Sequence, residues 1–299
     1  MLLAPIVEIF CDIDDFCKAY MGGKQKKLLE KDGRKIRNRP TSLSHSEIMT
    51  ILVLFHLSHY RTFKDFYVCC ILNDLSSCFP NAVTYPRFVA LKPRVLELLT
   101  YYVISKTGEQ TNLYYTDSTK LVVCHNRRIH GHKVFKGIAQ RGHSSVGYFF
   151  GFKLHLVINH RGELISFCLT KGNIDDRKVV PKLMQGLSGL AAGDKGYIDK
   201  KLEEKLLEQN LKLITKVKKN MKKRMLNAFE KFFLYQRSIV ETVIDQLKSI
   251  CHIEHSRHRS PFNFLVNIVG SLAAYCLKPR KPAIKMAKLP PTYNALIHN

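Results

Sequence analysis

Hydrophobic positions change their period near residue 110. Before it they recur at helical spacing. Ser44-His45-Ser46-Glu47 has the form of a capping box, a hydroxyl reaching forward and a carboxylate reaching back, and it opens an apolar run from Ile48 to Leu57. A second helix is predicted over Phe63–Leu72, and a third follows Pro86 through Phe88, Leu91, Val95, Leu98 and Leu99. A basic segment, Lys24 to Arg39, precedes them. Short helices with basic joints suit a helix-turn-helix type of DNA reader, although a plain helical scaffold has the same pattern.

From residue 113 the period shortens to two. Leu113–Cys124 is rich in Tyr, Thr and Val. In Tyr148–Ile158, residues Phe150, Phe152, Leu154, Leu156 and Ile158 share one face, and Leu164–Leu169 follows a turn at Asn159–Glu163. These three strands form a meander. Asp175 and Asp176 then cap a helix carrying Val179, Val180, Leu183, Met184 and Leu187. A short strand at Leu190–Ala192, a helix at Asp199–Gln209, a strand at Leu211–Val217 and a long amphipathic helix at Phe229–Cys251 complete the pattern. The order βββαβαβα predicts an α/β domain, one mixed sheet flanked by helices, over residues 111–277. A helical domain over 1–110 precedes it, and a basic, proline-containing tail at 278–299 is expected to be disordered.

Charge narrows the partners. Against 24 acidic residues stand 48 Lys and Arg, a formal net charge of +24, which calls for a polyanion. A membrane surface fits poorly: the most apolar stretch, Phe262–Leu277, is short and interrupted by Asn263, Asn267, Gly270 and Ser271, so it reads as a buried helix. Met1–Phe10 lacks the basic start and cleavage site of a signal peptide. Nine cysteines without a Cys-x-x-Cys pair point to reduced thiols, hence to the cytoplasm. Two histidine groups, His125, His130, His132 and His143, and Cys251, His252, His255 and His258, lack a second pair at zinc-finger spacing. They lie among Arg and Lys, which favours phosphate contact or solvation. The run Lys216, Lys218, Lys219, Lys222, Lys223 and Arg224 offers a track for a phosphate backbone, with a solvated loop as the plainer reading.

Three acids fall where such a fold could gather them. Asp117 sits in the middle of the first strand, where an Asp is disfavoured. Asp194 ends the fourth strand between Gly193 and Gly196, a place also ordinary for a turn. Glu241 lies on the last helix. Carboxylates on two neighbouring strands and a crossing helix can hold two Mg²⁺ ions. On that helix Arg237, Glu241, Asp245 and Lys248 share about one quadrant, so Asp245 rivals Glu241, and simple ion pairs on a solvated face give the same spacing.

The runs Tyr115-Thr116-Asp117-Ser118-Thr119, Gly151-Phe152-Lys153-Leu154-His155-Leu156, Thr170-Lys171-Gly172-Asn173-Ile174-Asp175-Asp176 and Gly193-Asp194-Lys195-Gly196-Tyr197 resemble those of insertion-sequence DDE transposases with a ribonuclease H-like core. With the Arg-x3-Glu-x6-Lys frame of Arg237, Glu241 and Lys248, and with His255-Ser256-Arg257-His258-Arg259-Ser260, the chain looks like family nine-eighty-two of the bacterial insertion sequences. Leu234 stands where the related pattern has a Tyr three places before the Arg, and Tyr235 is displaced by one. The resemblance implies Asp117, Asp194 and Glu241 as catalytic metal ligands and two Mg²⁺ ions, with Mn²⁺ able to substitute. It also implies a homodimer or larger assembly on double-stranded DNA, both element ends and target, with no small-molecule substrate. Arg237, Lys248 and Lys153 join the Lys216–Arg224 run as expected DNA contacts. A ribonuclease H-like nuclease without strand transfer would use the same acids, and a non-catalytic DNA-binding descendant would not need them.

Overall fold

The computed structural model describes residues 3–32, 42–144, 147–216, 220–221, 225–254 and 258–284. They divide into two compact units, Met1–Lys106 with Leu247–Leu277, and Thr107–Gln246 with Lys278–Asn299.

The first unit is helical. It contains α1 (Leu3–Asp32), α2 (His45–Leu57), α3 (Phe63–Asp65) running into a π-helical stretch (Phe66–Asp74), α4 (Tyr85–Leu91), a 3₁₀ turn (Lys92–Val95) and α5 (Leu96–Ser105). The capping box forms as the sequence requires: Glu47 N–H donates to Ser44 Oγ at 3.1 Å, and Ser44 N–H donates to Glu47 Oε2 at 2.7 Å. Helix α2 is buried from Ile48 to His56, so it needs partners on every side. The basic segment Lys24–Arg39 enters the end of α1, and 33–39 lie outside the described residues.

The last helix of the chain, Pro261–Leu277, belongs to this unit and packs on α2 and α5. This corrects the expected boundary, which placed it in the catalytic domain. Its buried residues run from Phe264 through Tyr275 with no polar face to spare, and α2 is equally apolar, so each covers the other. His56 Nδ1 lies 2.7 Å from the Cys251 carbonyl and ties the approach to this helix to α2. Among the described residues no helix is long and apolar enough to cross a membrane.

The second unit is built on one mixed sheet. Its strands are β1 (Leu113–Cys124), β2 (Gln140–Ser144), β3 (Gly147–Asn159), β4 (Leu164–Lys171), β5 (Gly189–Gly193) and β6 (Leu211–Thr215). The order is β2-β3-β1-β5-β6, with β4 also paired to β3. Pairs β1–β3, β2–β3 and β3–β4 are antiparallel; β1–β5 and β5–β6 are parallel. Helices α6 (Asp176–Leu183) and α7 (Lys200–Leu207) supply the crossovers. Their residues Val180, Leu183, Leu202 and Leu206 pack with Tyr114, Ala191 and Leu213 on one face. Tyr115, pointing the other way, stacks on Phe233 of α8 (Ala228–Tyr235) at 4.4 Å. A β-meander continued by parallel strands, with helices on both faces, is the ribonuclease H-like arrangement.

Two differences from expectation bear on the site. The segment after β1 contributes a further short strand, β2. The long helix expected over Phe229–Cys251 is broken at Gln236–Arg237 into α8 and α9 (Ser238–Ser249). Phe233, Val240 and Leu247 keep one apolar phase across the break, which hides it from a periodicity reading. The tail also begins in order: Ile284 N–H donates to the His160 carbonyl at 2.9 Å, so residues 278–284 lie against the sheet, while 285–299 are outside the described residues.

Gly189 sets the start of β5. It has φ +105°, and a Cβ there would lie 2.3 Å from the Asn112 carbonyl oxygen, the acceptor of Leu190 N–H. Gly189→Ala is therefore expected to cost at least about 2 kcal/mol. Urea unfolding at constant slope measures it; a loss under about 0.5 kcal/mol would show that β5 can shift freely.

Candidate active site

Strand register brings the first two acids together. Tyr115 of β1 pairs with Ala192 of β5 in parallel. Asp117 and Asp194 each lie two residues further on, at matched positions where β5 ends and β1 continues. On its other side Asp117 pairs with Leu156 of β3, so its backbone is held in the middle of the sheet.

The third acid arrives through the helix break. The chain turns at Gln236–Arg237 and starts α9 at Ser238, which places Glu241 in that helix's first turn. Arg237 is the hub of what results. Its Nη2 lies 2.6 Å from Glu241 Oε1 and 3.9 Å from Asp194 Oδ1, and its Nη1 lies 3.6 Å from Asp117 Oδ2. The side chain is only 15% exposed, and its buried Nε finds no partner among the described residues. Asp245, one turn beyond Glu241, is absent from the ion pairs that Arg237 makes among the described residues.

Burial pushes the Asp117 carboxyl up to about 6, the nearby Asp194 and Glu241 charges add to that, and the Ser118 N–H and Arg237 oppose it. Three carboxylates against one guanidinium leave an excess of negative charge around oxygen-only donors. That donor chemistry fits a hard divalent cation. As the side chains stand, Arg237 fills the space between the acids. Among the described residues no three His, Cys, Asp or Glu side chains stand close enough to hold one ion.

A second carboxylate underpins the first. Asp175 caps α6, accepting from Arg177 N–H at 3.0 Å, as the sequence suggests. Asp176 does something else: its Oδ2 accepts from Ser118 Oγ at 2.8 Å and its Oδ1 from Lys153 Nζ at 2.8 Å. Lys153 also donates to the Ile174 carbonyl at 3.0 Å. Since Ser118 N–H donates to Asp117 Oδ1 at 2.8 Å, Asp176 and Lys153 brace the residue beside the first acid. Sequence reasoning missed this role. The signal was two adjacent acids where one suffices for a cap.

The expected DNA contacts fare unevenly. Lys153 is 17% exposed and internally paired, Arg237 faces the acids, and Lys248 pairs with Glu254 at 2.6 Å. Leu234 is buried and Tyr235 is exposed. Lys216 is exposed at the end of β6. Lys218, Lys219, Lys222, Lys223 and Arg224, like His255, lie outside the described residues.

Residues 107–261 match the family model for the transposase DDE domain. The chain belongs to the DDE transposase family. The model spans all three acids, which the register and Arg237 had already drawn together. Among solved structures, the piggyBac transposase in a synaptic complex with hairpin DNA is similar at 11% identity and a TM-score of 0.48, over 90% of this chain and 71% of that one. The Mos1 mariner transposase in a paired-end complex with Mn is similar at 12% identity and a TM-score of 0.29, over 87% and 84%. No curated protein matches the sequence.

Proposed function

We propose that this DDE transposase is of insertion-sequence family nine-eighty-two, acting in the bacterial cytoplasm as a dimer or larger assembly. In this reading it binds the terminal inverted repeats of its own element. The observation that carries the catalytic reading is the convergence of Asp117, Asp194 and Glu241 on Arg237 from two strands and a helix.

Asp117, Asp194 and Glu241 are the residues that would hold two Mg²⁺ ions. Such a pair, when bound, activates the attacking oxygen and steadies the leaving oxygen of an in-line displacement. The chain's own groups do the rest. Ser118 N–H and the Asp176 brace fix Asp117 so that its free oxygen faces the other acids. Arg237, already inside the acid cluster, is placed to meet phosphate charge once it gives up a carboxylate. Hydrolysis of a phosphodiester at the element end frees a 3′-hydroxyl. That hydroxyl then attacks a target phosphate in line, joining to it as the bond to the target strand's own 3′-oxygen breaks and that oxygen leaves as a new 3′-hydroxyl.

The test is incubation with Mg²⁺ and a duplex carrying the inverted repeats that flank the coding sequence. Nicking at one phosphate followed by a covalently joined product is expected. Nicking that never gives a joined product would favour the plain ribonuclease H-like nuclease instead.

A further inference from the structure

The connection after β1 and the hairpin it leads into are unlike the rest of the surface. From Ser118 to Gly162 the sequence contains eight Lys or Arg and no Asp or Glu. Arg127, Arg128, Lys133, Lys136 and Arg141 are all exposed, and among the described residues none is ion-paired. Elsewhere in this unit, Arg177 and Lys212 do find carboxylates. A solvated charge run is the ordinary reading of such a stretch. Order argues against it here.

The connection is pinned down. Phe135 is buried, stacked with His132 at 5.6 Å and edge-on to Phe152 at 5.8 Å, and Asn126 Nδ2 donates to the Tyr148 carbonyl at 2.8 Å. The hairpin is pinned as well: a Cβ at Gly142 would lie 2.1 Å from the Gly172 carbonyl oxygen, so β2 sits hard against the end of β4. On the outer face the Arg141 guanidinium lies 4.7 Å from the ring centroid of Tyr148, which is 61% exposed, and His143 meets that ring edge-on at 4.9 Å. An arginine laid on a tyrosine has lost rotamer freedom before any partner arrives, and both groups remain open to one.

We propose that the paired strands β2 and β3, at Arg141, His143 and Tyr148, and the connection before them form a DNA-backbone contact surface, in which Tyr148 holds Arg141 ready for phosphate. The inference rests on the DNA-acting role proposed above and adds a place. Strand β3 runs from Tyr148 at the hairpin to Leu156, the partner of Asp117. Eight residues of strand cover about 26 Å, equal to about seven or eight base pairs at roughly 3.4 Å each. The surface therefore meets duplex at that distance from the reacting phosphate.

The experiment uses the full chain and a fluorescein-labelled duplex of arbitrary sequence, titrated over a range of salt. Combining Arg127→Gln, Arg128→Gln and Arg141→Gln should flatten the slope of log K against log salt by up to about 0.9 per lost contact. Tyr148→Ala should weaken binding several-fold, and Tyr148→Phe should restore it, since the ring does the work. Hydroxyl-radical protection of a duplex cut by the wild type should include sugars about seven or eight base pairs from the cut, and lose them in the arginine variant. An unchanged slope and footprint in folded variants, beside a wild type that binds, would overturn the inference. Weakening confined to an RNA duplex would do the same. A wild type that binds no DNA at all would instead sink the functional reading on which the inference rests.

Discussion

Asp117→Ala and Glu241→Gln are each expected to slow Mg²⁺-dependent nicking of end DNA on the order of 10³-fold or more, with affinity for that DNA changed by only a few-fold. The size follows from the chemistry: paired ions at such a site supply several kcal/mol of charge stabilisation, and each ~1.4 kcal/mol is a factor of about ten in rate. Glu241→Gln keeps shape and a carbonyl acceptor, so the Arg237 contact at 2.6 Å survives as a hydrogen bond from the charged guanidinium to a neutral oxygen. What it loses is the charge a hard cation needs. Asp245→Asn is the control, because Asp245 shares the helix with Glu241 yet takes no part in the cluster around Arg237 among the described residues. It should stay within a few-fold of wild type. Single-turnover nicking, paired with anisotropy on uncut duplex, separates the two readouts. A dead, folded Asp245→Asn beside an active Glu241→Gln would reverse the assignment of the third acid.

Much of this site was legible because its parts obey strict periods. The alternation from Phe150 to Ile158 locates β3, but the strand is covered on both faces, with Val157 and His155 as buried as Leu154, Leu156 and Ile158, so the period names the strand and not a solvent-facing side. Asp117 stood out as an acid in a strand that disfavours it. Asp194 stood between Gly193 and Gly196, just past the small apolar run Leu190–Ala192. The hidden features are those where phase does not change. The break at Gln236–Arg237 leaves Phe233, Val240 and Leu247 seven residues apart, so an unbroken helix and a broken one read alike. Arg237 was expected as a DNA contact sharing a quadrant with Glu241, and only the turn reveals that it faces three carboxylates. The helix Pro261–Leu277 was rightly read as buried, but burial does not name a partner. Helices α2 and α5, more than 150 residues earlier, supply it.

Asp176 and Asp117 illustrate two ways of holding a half-buried carboxylate. Asp176 is compensated: Lys153 at 2.8 Å and the Ser118 hydroxyl at 2.8 Å satisfy its two oxygens. Asp117 is not. One oxygen takes the Ser118 N–H, while the other has, among the described residues, only Arg237 at 3.6 Å, shared with two more acids. An under-satisfied acid at the end of such a brace is poor for folding and suited to binding a cation, the usual trade at a functional site.

That trade has a measurable pH signature. Burial raises the folded-state Asp117 carboxyl to about 6, against about 3.9 in an unfolded chain. A group raised in this way contributes its full share of stability below about 4, where it is protonated in both states. The share is lost as pH rises through about 6, because the folded protein must then carry the charge that burial opposes. Asp117→Asn imitates the protonated acid at every pH and keeps the acceptor for the Ser118 N–H. In EDTA at pH 8, Asp117→Asn should therefore be more stable than wild type by up to about 3 kcal/mol, taking ~1.4 kcal/mol per pH unit. The side chain is 22% exposed, so residual solvation trims that figure. The gap should narrow as pH falls through about 6 and vanish below about 4. Adding Mg²⁺ at pH 8 should raise the melting temperature of the wild type well above any change in Asp117→Asn, since only the intact acids gain from the ion. Thermal melts across pH, with and without Mg²⁺, provide both comparisons. If Asp117→Asn proves no more stable than wild type at pH 8 in EDTA, Arg237 already compensates the buried charge, and the proposed trade between folding and metal binding at Asp117 is wrong.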